Sequence, residues 1–240
     1  MYVAQSSKAA PCGGLRLRGQ TAGPEIEMVQ SFLRESSILT DLLSSGYETM
    51  LFLEPRIDSG FPDLVFVQYA SSLPDSWEPL RNTLAICDLK VFSDIANHRP
   101  SKVETISRRT GIALEQLEIS LELLKACRFV EQSGSIWRRI RNDTFGVKRI
   151  IAIEAKISNV GEAARQAAVN KRFATESYVL AQSERVSQKS LDQCGLMGVG
   201  VISDGGNCLQ AKARRSALAI NHVTMQFNEW VAGSSRRCSI

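Results

Sequence analysis

Ile26, Val29, Phe32 and Leu33 recur at three- and four-residue spacing after Gly23-Pro24. They predict a helix that runs to about residue 43 and stops before Gly46. Glu25 and Glu27 fall in its first turn, where acidic side chains complement the helix dipole. Past Gly46 the period changes. Met50-Leu51-Phe52-Leu53 and Leu64-Val65-Phe66-Val67 read as strands, separated by a turn over 54–60 and by Pro62-Asp63. From about residue 73 to 142 the helical period returns and predicts helices over 80–96, 102–109 and 114–127. Thr110-Gly111 turns the chain before the third of these, whose stripe is Leu114, Leu117, Leu121 and Leu124. Phe129-Val130-Glu131-Gln132 and Ile136-Trp137-Arg138-Arg139, joined by Ser133-Gly134-Ser135, then read as a short hairpin. The remainder alternates strand and helix. Strands fall over 150–155, 177–180 and 198–203, with helical segments over 160–174 and 186–193 between them. After the turn Asp204-Gly205-Gly206-Asn207 come a short strand and a helix over 215–231.

These elements predict an α/β fold, a mixed sheet flanked by helices, whose two halves are separated in sequence by a helical insertion. Three helices, a tight glycine turn before the third and a hairpin after it read as a winged helix-turn-helix module over residues 73–146. The α/β domain then comprises 23–72 and 147–240. Residues 1–22, rich in Ala, Ser, Gly and Gln and without a period, read as a flexible N-terminal arm.

Composition removes several classes of function. Six scattered cysteines without a Cys-x-x-Cys pair, and only two histidines, His98 and His222, argue against a zinc site. No stretch resembles a secretory signal or a membrane span, so the expectation is a cytoplasmic protein with reduced thiols and no membrane partner. A net charge of +4 permits a polyanionic partner without requiring one.

The candidate chemistry lies in Lys148-Arg149-Ile150-Ile151-Ala152-Ile153-Glu154-Ala155-Lys156. Alternation along a strand puts Glu154 and Lys156 on one face and Ile153 and Ala155 on the other. Charges at the end of so apolar a run are costly unless paired or engaged with a metal. With the insertion looped out, strands 64–67 and 150–155 become antiparallel neighbours, and Asp63 approaches Glu154. Two carboxylates, a backbone carbonyl such as that of Ala155, and water form the oxygen set that Mg²⁺ takes. Lys156 could hold the attacking water and stabilise charge at phosphorus.

Gly60-Phe61-Pro62-Asp63 followed by Ile153-Glu154-Ala155-Lys156 resembles the signature of the PD-(D/E)XK nuclease superfamily, over about residues 24–72 and 147–210. The resemblance implies a restriction-endonuclease-like fold. By it, Asp63 and Glu154 are metal ligands and Lys156 the catalytic lysine. Gln166 matches the glutamine of the following helix, and Glu27 the acidic residue of the first core helix. Mg²⁺, or Mn²⁺ in its place, is the implied cofactor. The implied activity is phosphodiester hydrolysis in DNA, with RNA also open. The spacer between Asp63 and Glu154 departs from the pattern by holding a whole module, and Asn170 stands where end-cutting branches often carry an aromatic residue.

Arg108, Arg109, Arg138, Arg139 and Arg141 flank the third helix and hairpin of the insertion and suit phosphate contact, as do Lys148 and Arg149. The third helix itself presents Glu115, Glu118 and Glu122 on one face, a poor match for the major groove. Protein contact or self-association into a homo-oligomer therefore stands beside DNA contact as the module's role. From a different class comes a second expectation, a non-catalytic DNA-binding or assembly protein built on an inactive nuclease-like scaffold.

Overall fold

The computed structural model describes residues 2–3, 16–18, 23–43, 45–73, 78–140 and 145–235. They form two compact units whose segments interleave along the chain. The first holds Arg16–Tyr69 and Lys148–Leu218 together with the N-terminal strand; the second holds Ala70–Val147 and the chain from Ala219. Most of the expected N-terminal arm lies outside the described residues.

The first unit is α/β. Its mixed sheet has six full strands in the order β2 (Glu48–Leu53), β3 (Leu64–Tyr69), β6 (Val147–Lys156), β7 (Glu176–Ala181), β8 (Gly200–Ser203) and β9 (Cys208–Ala211). The two-residue β1 (Tyr2–Val3) adds to β2 in parallel at the edge. Strands β6, β7 and β8 run parallel, whereas β2 and β3, and β8 and β9, run antiparallel. The start of β3 meets the end of β6, and Ala70 N donates to Gly146 O (2.9 Å) at the other ends, so β3 and β6 are antiparallel as the sequence predicts.

Helices cover both faces, and the two-residue alternation shows which side chains go where. Tyr178, Leu180, Ile202, Ile151, Ile153 and Ala155 pack against Met28 and Phe32 of α1 (Pro24–Glu35) and against Ile38, Leu39 and Leu42 of α2 (Ser37–Leu42). Val179, Ala181 and Val201 face the other way, onto Ala163, Ala164 and Ala167 of α6 (Val160–Asn170) and Cys194 of α7 (Gln188–Met197). Three alanines at the contact positions let α6 lie close to the sheet.

The helix expected to run unbroken to residue 43 divides at Ser36, whose backbone is extended and whose Oγ donates to Gly206 O (2.6 Å). Gly206 lies at φ +116° directly behind Phe32, where a Cβ would come within 2.4 Å of that ring. Only glycine fits there.

Arg149 also departs from expectation. It is buried and makes a bidentate pair with Glu176 (2.7 and 2.8 Å), donates to Leu42 O, and so ties the end of α2 to β6 and β7. Tyr178 Oη donates to the same Glu176 (3.1 Å). This arginine braces the interior and offers nothing to phosphate.

In the second unit, a 3-10 turn (Pro79–Thr83) precedes α3 (Ile86–Asn97), α4 (Val103–Thr110) and α5 (Leu114–Ala126), then a hairpin of β4 (Val130–Ser133) and β5 (Ile136–Arg139). The predicted single helix over 80–96 is broken because Asp88 caps a new helix start, accepting from Ala85 N (2.7 Å). The glycine turn before α5 is present, with Gly111 at φ +71°. Leu117, Leu121 and Leu124 of α5 join Leu89, Phe92 and Ile106 in the core.

The C-terminal helix α8 (His222–Ser235), expected over 215–231 and within the α/β domain, belongs to this second unit instead. Its Met225 lies in the core with α3 and α5, and its Asn228 Oδ1 accepts from Gly146 N (2.9 Å). The decisive link is a bidentate pair from Arg81 to Glu229 (2.8 and 2.6 Å), with both side chains almost fully buried. The Arg81 guanidinium also lies 4.6 Å from the centre of the Phe129 ring.

Arg81→Ala leaves the Glu229 carboxylate buried without its cation. The expected loss is about 3–5 kcal/mol of unfolding free energy, read from urea denaturation. A loss of a few tenths would mean that the pair carries little.

Candidate functional site

A cleft of about 600 Å³ opens in the first unit where the end of β6, the loop before β3 and the first turns of α1 converge. Asp63, Glu154, Lys156 and Gln166 all line it. Four residues that the sequence assigns to one site, from three separate stretches of chain, thus share one cavity.

Asp63 is held at two points. Its Oδ2 accepts from Ala155 N (2.7 Å), the peptide nitrogen between Glu154 and Lys156, and its backbone carbonyl accepts from Glu54 N (3.0 Å). Burial raises its pKa above the ordinary value for an aspartate, against the lowering effect of the Ala155 amide and of Lys156. Glu154 is 6% exposed, and its Oε1 accepts from Asn170 Nδ2 (2.6 Å) on α6. Burial, aided by the charge of Asp63, pushes its pKa up to about 8, and the Asn170 hydrogen bond and Lys156 oppose the shift.

Lys156 behaves differently from the simple alternation rule. Glu154 is fixed from the α6 side, whereas the Lys156 ammonium lies 3.4 Å from Glu25 on α1. Lys156 is the last residue of β6, and its four-carbon stem lets the ammonium swing past the strand end.

Glu25 therefore occupies the cleft where the sequence placed Glu27. Glu27 is exposed and does not line the cavity. The helical period explains the exchange, because residues 25, 28, 29 and 32 share the sheet-facing side of α1, and Met28 and Phe32 are buried there. Asn170 could also be found this way. It stands four residues beyond Gln166, on the same face of α6, and is 4% exposed. Arg18, in ion-pair range of Glu54 at 3.8 Å, completes the polar lining.

The basic residues assigned to phosphate contact are largely engaged elsewhere. Arg109 makes a bidentate pair with Asp94 (2.9 and 2.6 Å) and donates to Ser101 Oγ (3.1 Å). Arg138 pairs across the hairpin with Glu131 (2.8 Å), and Arg139 stacks 5.9 Å from the centre of the Phe92 ring. Arg108 is exposed on α4. Arg141 lies outside the described residues.

The cleft carries four carboxylates, Glu25, Glu54, Asp63 and Glu154, against two cations, Arg18 and Lys156. With Glu154 ionised, one divalent cation would match that excess of negative charge, and the carboxylates of Asp63 and Glu154 would supply the hard oxygen donors it takes. Among the described residues, no group of three or more His, Cys, Asp or Glu side chains gathers around a point that could hold a metal. A cation here would draw its remaining ligands from backbone oxygen, water and substrate. No protein-family model matches the chain, and neither does any curated protein or solved structure.

Between about pH 4.5 and 8 the folded chain keeps a proton on Glu154 that the unfolded chain has released. Stability from this group is therefore greatest below that window, falls as pH rises through it and levels off above. Glu154→Gln removes the dependence. Thermal melts from about pH 5 to pH 9 should show wild type losing on the order of several degrees relative to the variant. Parallel curves would show that the carboxyl is already ionised at low pH.

Proposed function

We propose that this chain is a divalent-metal-dependent nuclease of the PD-(D/E)XK type, hydrolysing phosphodiester bonds in DNA. The observation that carries the reading is the seating of Asp63 on the Ala155 amide, which puts its carboxylate in the electrostatic field of Glu154 inside one cleft. Antiparallel β3 beside β6, with α1 on one face and α6 on the other, supports a restriction-endonuclease-like core.

Burial raises the pKa of both carboxylates, and the charge of Asp63 adds to the shift at Glu154. A bound divalent cation supplies the opposing charge and makes water a better nucleophile near neutral pH. The chain's own residues do the rest. Asp63 and Glu154 hold the hard-oxygen donor set, and the Asn170 amide fixes one oxygen of Glu154 so that the other is left to bind. Lys156 carries a positive charge at the rim, where an ammonium can orient water and offset charge developing on phosphorus. Its present partner, Glu25, is about half exposed, so the ammonium leaves it at little cost.

In the second unit, three helices, the Gly111 turn and the β4–β5 hairpin support a winged-helix module. On α5 the exposed residues include Glu115, Glu118 and Glu122 and the apolar Leu114 and Ile119, 48% and 60% exposed. Acidic and apolar character on that face favours protein contact over major-groove reading. The free thiols of Cys87, Cys127, Cys194 and Cys208 support a reducing compartment, the cytoplasm, and among the described residues no helix is long and apolar enough to cross a membrane.

The Lys156–Glu25 pair favours one other reading, in which the lysine is a strut and the fold a non-catalytic DNA-binding or assembly scaffold. Incubation of plasmid and single-stranded DNA with Mg²⁺ or Mn²⁺ separates the two. The nuclease reading expects wild-type cleavage that falls by about 100-fold or more in Asp63→Ala and in Lys156→Ala. Equal rates in wild type and variants would sink it, and binding without any cleavage would establish the scaffold.

A further inference from the structure

The cleft is only half polar. Among the carboxylates, Ile26 and Val29 of α1, Leu53 at the end of β2 and Ile157 after β6 present half-buried apolar surface to the cleft. At the same cavity stands Phe61, 42% exposed and two residues before Asp63. An isolated exposed phenylalanine requires no explanation. This one is held in place. Ile57 and Gly60 exchange backbone hydrogen bonds (3.0 and 3.1 Å) just before it, and the buried Pro62 follows. The Arg18 guanidinium lies 5.9 Å from the centre of its ring.

Building on the nuclease reading above, we infer that this apolar surface and Phe61 form a subsite for the unstacked base of a single-stranded substrate, next to the phosphate that meets Asp63 and Glu154. A phosphate group alone gives an apolar surface nothing to bury. Duplex DNA meets a protein with its phosphates and groove edges while its bases stay stacked on one another. An unpaired nucleotide offers both parts at once, a flat apolar face for Phe61 and a backbone charge for Arg18 and Lys156. Every base has such a face, so the subsite prefers strand form over sequence.

The test measures binding of a fluorescent single strand, its duplex, and the duplex with one unpaired nucleotide. It uses the full chain in an Asp63→Asn background with Mg²⁺, so that strands stay intact. The expected result is tighter binding of the single strand than of the duplex by tenfold or more, with the bulged duplex in between. Phe61→Ala and Phe61→Leu should each weaken single-strand binding by roughly five- to 150-fold, leave duplex binding unchanged and keep the melting temperature; Phe61→Tyr should restore it. Equal binding of duplex and single strand, full affinity in Phe61→Leu, or no measurable binding of any of the three would each overturn the subsite. Cleavage by the chain with Asp63 intact, on the same three substrates, separates the two readings. Phe61-dependent binding without metal-dependent cleavage retains the base subsite and ends the nuclease reading. Cleavage lost in Asp63→Ala but indifferent to Phe61 and to strand form retains the nuclease and ends the subsite.

Discussion

The hydrogen bond from the Ala155 amide to the Asp63 carboxylate fastens the loop before β3 to the end of β6, and both ends of that link line the cleft. That amide sits in the peptide between Glu154 and Lys156, so binding Asp63 there brings three ionisable groups into one field. The arrangement works against stability. Both carboxylates are partly stripped of water, and the charge of Asp63 pushes the pKa of Glu154 up further. A fold that keeps such a pair keeps an unfavourable electrostatic site where an apolar pair would pack better, a trade-off familiar from functional sites.

Much of this was legible in the sequence, because β6 and β3 advertise themselves as apolar runs and Pro62-Asp63 and Glu154-x-Lys156 sit at their ends. Topology did the rest, since an antiparallel β3–β6 pair can only bring those ends together. What was hidden depends on distant partners. Glu25 replaced Glu27 because the orientation of α1 is set by where Met28 and Phe32 bury, and two residues along a helix is about half a turn. The assignment of α8 to the second unit turned on Arg81 and Glu229, which stand 148 positions apart and show no local periodicity that links them. Arg149 looked like part of a basic cluster because its burial is visible only once α2 covers the start of β6.

Each unit thus contains one buried bidentate arginine–glutamate pair, Arg149–Glu176 in the first and Arg81–Glu229 in the second. Such pairs add little net stability over a well-packed apolar substitute, yet each tolerates only one partner geometry. Arg81–Glu229 joins segments from before and after the point where the chain returns, and Arg149, paired with Glu176 on its own segment, reaches back across the insertion to Leu42 O. They act as registration marks, ensuring that returning segments dock in one way. The same economy applies at the surface, where Arg109 and Arg138 are held by Asp94 and Glu131 and give the second unit a more neutral face than its arginine content suggests.

Gly206 has a reach beyond its own turn. The α1 wall of the cleft rests, through Phe32, on a residue with no side chain, and a single added carbon at 206 would meet that ring at 2.4 Å. Relief comes only if Phe32 turns or α1 moves outward, and α1 carries Glu25, Ile26 and Val29 along the cleft. The aperture of the site is therefore encoded at a position that touches none of its chemistry. Any change at that turn is felt at the α1 wall of the cleft, whereas Asp63 and Glu154 keep their own hydrogen bonds from the Ala155 amide and Asn170.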